Sequence, residues 1–126
     1  MMPRVLVVDD DMLYAEAATA ILCQAGSLDV VGRAADGREA VELALALRPD
    51  VVLMDIDMPV MDGIEATRSL RRLLPSVRVV VVTSSQSEDD RRSAHGAGAH
   101  AFLNKELGSG ALVEAALSAG LEAAQR

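Results

Sequence analysis

Residues 51–63 read VVLMDIDMPVMDG (Val51–Gly63), and this stretch changes character twice. Asp50–Asp55 (DVVLMD) is apolar at every interior position rather than at alternate ones, and it closes on an acid. That is the pattern of a short strand buried on both faces. Asp57–Gly63 (DMPVMDG) then reads as a loop, punctuated by Pro59 and Gly63. From Ile64 to Leu74 the apolar spacing becomes helical, with Ile64, Thr67, Leu70, Arg71 and Leu74 in register and Pro75 following. Strand, loop and helix make one unit.

The same unit recurs in both directions. Upstream, Arg4–Val8 (RVLVV) predicts a buried strand that ends in Asp9-Asp10-Asp11. Met12–Ala25 follows as a helix, with Leu13, Ala17, Ala20, Ile21 and Gln24 at helical spacing, Asp11 placed to cap and Gly26 to stop. Asp29–Ala35 is a weaker strand, nearer an edge. Asp36-Gly37 turns into a helix over Arg38–Leu47, with Ala40, Val41, Ala44 and Leu47 on one face and Pro49 ending it. Downstream, Val77–Thr83 is the strongest strand, with six β-branched residues of which five are Val. Ser87–Gly98 predicts a short polar helix, His100–Asn104 a fifth strand, and Ser109–Gln125 a final helix. Its inward residues are Leu112, Val113, Ala116, Leu117, Gly120 and Leu121.

Five strand–helix units in strict alternation predict an α/β protein, a parallel sheet covered by helices. Five units cannot close an eight-unit barrel, so the sheet is open and doubly wound. One domain over residues 1–126 is expected, with no repeat, linker or output module in the chain. The 51% apolar and 25% charged shares are those of a globular protein. With one Phe, one Tyr and no Trp, the core has to be built from Val, Leu, Ile, Ala and Met.

The net charge of −7 argues against direct nucleic-acid contact, which needs clustered Lys and Arg. Arg71-Arg72 and Arg91-Arg92 are the nearest candidates, and Asp89-Asp90 precede the second pair. The single cysteine, Cys23, excludes an internal disulfide framework and a cysteine zinc cage, and its helical apolar surroundings read as a buried thiol. No signal-peptide pattern opens the chain, and no apolar run approaches the ~18–20 residues of a membrane span. A cytoplasmic protein with no membrane attachment is expected.

In an open parallel sheet, ligands bind beyond the carboxyl ends of the strands. After the first strand come Asp9 and Asp10, after the third Asp55, after the fourth Thr83 and Ser84, and after the fifth Lys105. The second delivers only Asp36, read as a turn or cap residue. Three converging carboxylates repel one another and retain protons unless a cation neutralises them. A hard divalent ion suits them, and Mg2+ in particular takes one or two carboxylates, waters and a phosphoryl oxygen. Lys105 adds a compact positive charge and Thr83 a hydroxyl donor. An acidic nucleophile, a metal, a lysine and a hydroxyl together describe phosphoryl transfer to a carboxylate. Asp11 and Asp62 read as helix caps. His95 and His100 read as surface or sheet-end residues, Met54 as core, and Met58 and Met61 as loop packing.

Four segments, in order, carry a family resemblance: VLVVDD ending at Asp10, VVLMDIDMPVMDG from Val51 to Gly63, VVVVTS ending at Ser84, and GAHAFLNK from Gly98 to Lys105. Over roughly residues 4–122 the chain resembles the receiver domains of bacterial two-component response regulators. That resemblance implies a flavodoxin-like sheet of strand order 2-1-3-4-5. It implies Asp55 as phosphoacceptor, Asp9 and Asp10 as the acidic pair that holds Mg2+, and the Asp57 backbone carbonyl as a further ligand. Thr83 would bond the phosphoryl group and move inward, Lys105 would pair with it, and Phe102 would be the switch aromatic. The implied donor is a sensor histidine kinase. The face made by the last two strand–helix units would carry the signal and leaves room for a homodimer. The segment LNKELGSGALVEAALSAG (Leu103–Gly120) is similar to receivers of the NarL/LuxR type.

The chain departs from the family pattern at a few positions. Glu106 stands where the family often has a cis proline, so a trans Lys105–Glu106 bond is predicted. Ser84 replaces a commoner small apolar residue. Asp57 and Ser85 occupy the positions that tune the phosphate's lifetime. The expected function is a signalling switch that catalyses only its own phosphorylation and dephosphorylation. Two alternatives stand beside it. Asp55-Ile-Asp57 also resembles the Asp-x-Asp motif of haloacid-dehalogenase-like phosphohydrolases, although that motif normally ends the first strand. A receiver used only as a phosphorylation-independent binding module is the other.

Overall fold

The computed structural model describes residues 2–124, along which five strands alternate with five helices. They are β1 (Arg4–Val8), α1 (Met12–Ala25), β2 (Asp29–Ala34), α2 (Gly37–Leu47), β3 (Val51–Met54), α3 (Gly63–Leu73), β4 (Arg78–Thr83), α4 (Glu88–Ala97), β5 (Ala101–Asn104) and α5 (Ser109–Ala124). A short 3-10 turn, Lys105–Leu107, joins β5 to α5. All strands are parallel, in the order β2-β1-β3-β4-β5. This is the doubly wound, flavodoxin-like sheet expected from the sequence.

Alternate residues of each strand point to opposite faces, so the uninterrupted apolar runs feed two cores. Leu6, Val8, Val52, Met54, Val79 and Val81 pack with Ala40, Ala44, Ala66, Leu70 and Ala94 of α2, α3 and α4. Val5, Val7, Val51, Leu53, Val80 and Val82 pack with Ala15, Ala18, Leu22, Leu112, Ala116 and Ala119 of α1 and α5. Each fully buried Leu or Val contributes about 1.5–3 kcal/mol relative to exposure. Alanines on the inner helix faces let the helices approach a sheet that has few large side chains to fill a wider gap.

The helix starts are fixed by side-chain caps. Asp11 accepts from the N–H groups of Leu13 and Tyr14, Asp36 from Glu39, and Asp62 from Glu65. Gly26, at φ 74, ends α1 in the left-handed conformation that glycine adopts without a Cβ penalty. The capping residues explain most one-residue differences from the expected boundaries. Ser87 and Gly98 flank α4 as caps, and Leu74 caps α3. Asp50, Asp55, Val77, His100 and Ala35 lie just outside strand pairing. Gln125, expected to end the last helix, lies outside the described residues.

Three expectations are corrected. In α1 the inward residues are Ala15, Ala18 and Leu22, whereas Leu13 is 78% exposed and Ala17, Ala20 and Gln24 face solvent. The helix carries apolar residues all round, so spacing alone did not single out the buried stripe. Cys23 is exposed, because it stands one residue, about 100° of helical turn, beyond Leu22. Leu121 of α5 is also exposed, with Ala119 and Ala123 buried in its place. Among the described residues there is no cis peptide bond, so Lys105–Glu106 is trans as expected. No helix there is long and apolar enough to cross a membrane.

Candidate functional site

The order of the sheet reverses between β1 and β3, and the register pairs Val8 with Met54. The next residue on each strand is an aspartate, so Asp9 and Asp55 emerge side by side. Asp9 N–H donates to the Ala34 carbonyl and Asp55 N–H to the Val8 carbonyl, both at 3.0 Å. The backbones of both residues are thus anchored on the sheet, and both side chains are buried. Asp10 is exposed beside them. One oxygen from each of Asp9, Asp10 and Asp55 lies within 4.8 Å of the others.

The opposite wall comes from β5. The Lys105 ammonium is 2.7 Å from Asp9 Oδ2 and 3.7 Å from Asp55 Oδ1. Its backbone is held without a proline, because Asn104 caps the 3-10 turn by accepting from the Glu106 N–H at 2.8 Å. Thr83 ends β4 with 1% exposure, and its Oγ1 accepts from the Ser85 N–H at 3.2 Å. Ser85 in turn donates to Asp90. Phe102, paired in register with Val81, is half-buried, with the Arg91 guanidinium 4.9 Å from its ring centroid.

The β3–α3 loop is pinned beneath the carboxylates. Gly63 N–H donates to the Ile56 carbonyl at 2.8 Å, and Gly37 N–H to the Met61 carbonyl at 2.9 Å. A Cβ on Gly63 would stand 1.8 Å from the Asp55 carbonyl oxygen. Met58 and Met61 pack against the core, and Val60 between them is held at φ 69, a conformation a β-branched residue adopts only under constraint. Asp57 is exposed, and its side chain is outside the three-carboxylate cluster. His95 is exposed, and His100 lies at the amino end of β5, with its Nδ1 3.2 Å from the donating N–H of Val79.

Burial raises the Asp55 carboxyl from its ordinary value to about 7, and the charges of Asp9 and Asp10 add to the rise. Lys105 and the Ile56 N–H oppose it. Burial alone would lower the Lys105 ammonium, but the hydrogen bond to Asp9 and the charges of Asp55 and Asp9 outweigh it and hold the group above the usual lysine value. The site has crowded negative charge, all-oxygen donors and one lysine. That donor set fits a hard divalent cation such as Mg2+, which binds through carboxylates and completes its octahedron with water and phosphoryl oxygens.

The sequence reading missed one residue here, Tyr14. The Lys105 ammonium lies over its ring, 4.3 Å from the centroid. Burial raises the Tyr14 hydroxyl above its ordinary value, Lys105 lowers it, and Asp9 and Asp55 raise it further. Its place in the first turn of α1, three residues after the Asp11 cap, was the available signal.

The Asp55-Ile-Asp57 pair stands at the end of the third strand, not the first, which does not match the haloacid-dehalogenase arrangement. A family model for the response regulator receiver domain matches residues 5–117. The response regulator GacA of Pseudomonas viridiflava is 42% identical over 114 residues, covering 90% of this chain and 53% of that protein. The transcriptional regulatory protein DegU of Brevibacillus brevis is 38% identical over 112 residues, covering 89% and 48%. This chain therefore spans about half the length of these curated relatives. The signal receiver domain of the response regulator NarL from Mycobacterium tuberculosis superposes with a TM-score of 0.91 at 36% identity, over 99% of this chain and 98% of that one. With sequence, sheet order and rim chemistry in agreement, this chain belongs to the response regulator receiver domains of two-component systems.

Proposed function

We propose that this receiver takes a phosphoryl group onto Asp55 from the phosphohistidine of a sensor histidine kinase. The observation that carries the reading is the placement of a buried Asp55 beside two further carboxylates and within 3.7 Å of the Lys105 ammonium. Asp9, Asp10 and Asp55, with the Asp57 backbone carbonyl, would hold Mg2+. When bound, the ion neutralises the carboxylates and the phosphoryl oxygens.

An Asp55 carboxylate oxygen attacks phosphorus, and the P–N bond of phosphohistidine breaks. The imidazole leaves with the electron pair and takes a proton from water. Asp55 must be ionised to attack, so it has to lose the proton that burial favours. Lys105 offers its charge to a phosphoryl oxygen and the Thr83 hydroxyl donates to another. Water later hydrolyses the aspartyl phosphate, and the chain performs no other turnover.

The new group biases a two-state equilibrium in which Thr83 and Phe102 take part. The surface of β4, β5, α4 and α5 carries the change, and it is also the face through which two copies would pair. DegU is named a transcriptional regulatory protein, which supports transcription as the output, carried by a segment other than these residues. We place the protein in the cytoplasm, where its kinase partner presents the phosphohistidine.

Incubation with acetyl phosphate, with and without Mg2+, followed by intact mass tests the reading. A Mg2+-dependent phosphate adduct in the wild type, absent in Asp55→Asn, is expected. No adduct under any condition would make the phosphorylation-independent binding module the better account.

A further inference from the structure

Lys105 is shared among three partners. Its ammonium bonds Asp9 at 2.7 Å, faces Asp55 at 3.7 Å, and lies over the Tyr14 ring at 4.3 Å from the centroid. Only 16% of its side chain is exposed, so the ammonium is held among these groups with little access to solvent. They differ in what a divalent cation does to them. Asp9 is one of the three carboxylates that converge for such an ion, and a metal bound there competes with Lys105 for it. The ring face offers nothing to a hard cation that prefers oxygen, but it attracts an ammonium through its quadrupole.

We propose that Tyr14 is a positioning residue, whose ring keeps the Lys105 ammonium beside Asp55 once the metal has taken Asp9. Without the ring, the long lysine chain returns to solvent when Asp9 is withdrawn, and the phosphoryl group loses a poised partner. The ring is itself fixed. Tyr14 follows the Asp11 cap, is half-buried, and packs against the core shared by α1 and α5. The inference rests on the reading of Asp55 as a Mg2+-dependent phosphoacceptor. It assigns the work to the ring face, not to the hydroxyl.

The chain has one Tyr and no Trp, so emission excited at about 280 nm, where Phe does not absorb, comes from Tyr14. Titrating the protein with Mg2+ should change that emission saturably in the wild type and much less in Lys105→Met, because the change arises as the ammonium settles on the ring. An equal change in Lys105→Met would overturn the proposal. This arm needs no phosphoryl transfer and no substitution at Tyr14.

The second arm follows phosphorylation by acetyl phosphate at saturating Mg2+. Tyr14→Leu should react about three- to tenfold more slowly, and Tyr14→Phe within about twofold of wild type. Thermal unfolding of each variant establishes that it is folded. Wild-type rates in Tyr14→Leu, or a Tyr14→Phe as slow as Tyr14→Leu, would sink the idea. If neither wild type nor any variant takes a phosphoryl group, the reading of Asp55 fails, and the Mg2+ response of wild type against Lys105→Met alone decides whether the ring holds the ammonium.

Discussion

Asp55 sits under two opposed demands, since burial favours its proton and the proposed phosphoryl transfer requires its charge. Its folded value, about 7, lies above that of an unfolded aspartate, about 3.9. The folded state therefore binds the proton more tightly. The stability this confers is complete below about pH 4 and is lost as pH rises through about 7. In metal-free buffer the thermal midpoint should fall as pH rises from about 4 to 7 and level off above that, and Asp55→Asn should flatten that fall and raise the midpoint at pH 8. Parallel pH profiles for the two proteins would contradict this. The charged residues at the rim were legible in the sequence because strand ends and their acids can be counted from the apolar runs. Tyr14 was not, because a ring face under an ammonium depends on how α1 crosses the sheet.

At the scale of elements, strands read more clearly than helix faces. The runs of β1, β3 and β4 are apolar throughout because both faces are buried, and their position needed no periodicity. In α1, apolar residues surround the helix, and the buried stripe was set by the Asp11 cap and the sheet below it. Leu22→Ala should therefore cost about 2–5 kcal/mol in urea denaturation, whereas Leu13→Ala should stay within about 0.5 kcal/mol. A similar loss from both would mean that the face is assigned wrongly. The loop after β3 gives a sharper test. Gly63→Ala places a Cβ 1.8 Å from the Asp55 carbonyl oxygen, a clash with backbone that no rotamer relieves. A loss of about 3 kcal/mol or more is expected, together with weaker Mg2+ binding as Asp55 is displaced. Unchanged stability and Mg2+ affinity would show that the loop yields.

For the whole molecule, alternation of strands and helices gave an open α/β sheet, but not its order. The order 2-1-3-4-5 came from resemblance to a family, and the structure bears it out. That order matters because it makes β1 and β3 neighbours, and their neighbouring ends place Asp9 against Asp55. The molecule separates this site from a large surface cavity. About 620 Å³ opens between α4 and β5, lined by Arg91, Arg92, His95 and Phe102, on the face proposed to carry the signal and away from the carboxylates. The measurement that goes straight to the central claim is to locate the phosphoryl group. Protein treated with acetyl phosphate and Mg2+ is reduced with borohydride, which converts an aspartyl phosphate to homoserine, and the peptides are sequenced by mass. The account predicts homoserine at position 55, dependent on Mg2+. Homoserine at another aspartate, or at none while the intact protein carries phosphate, would contradict it.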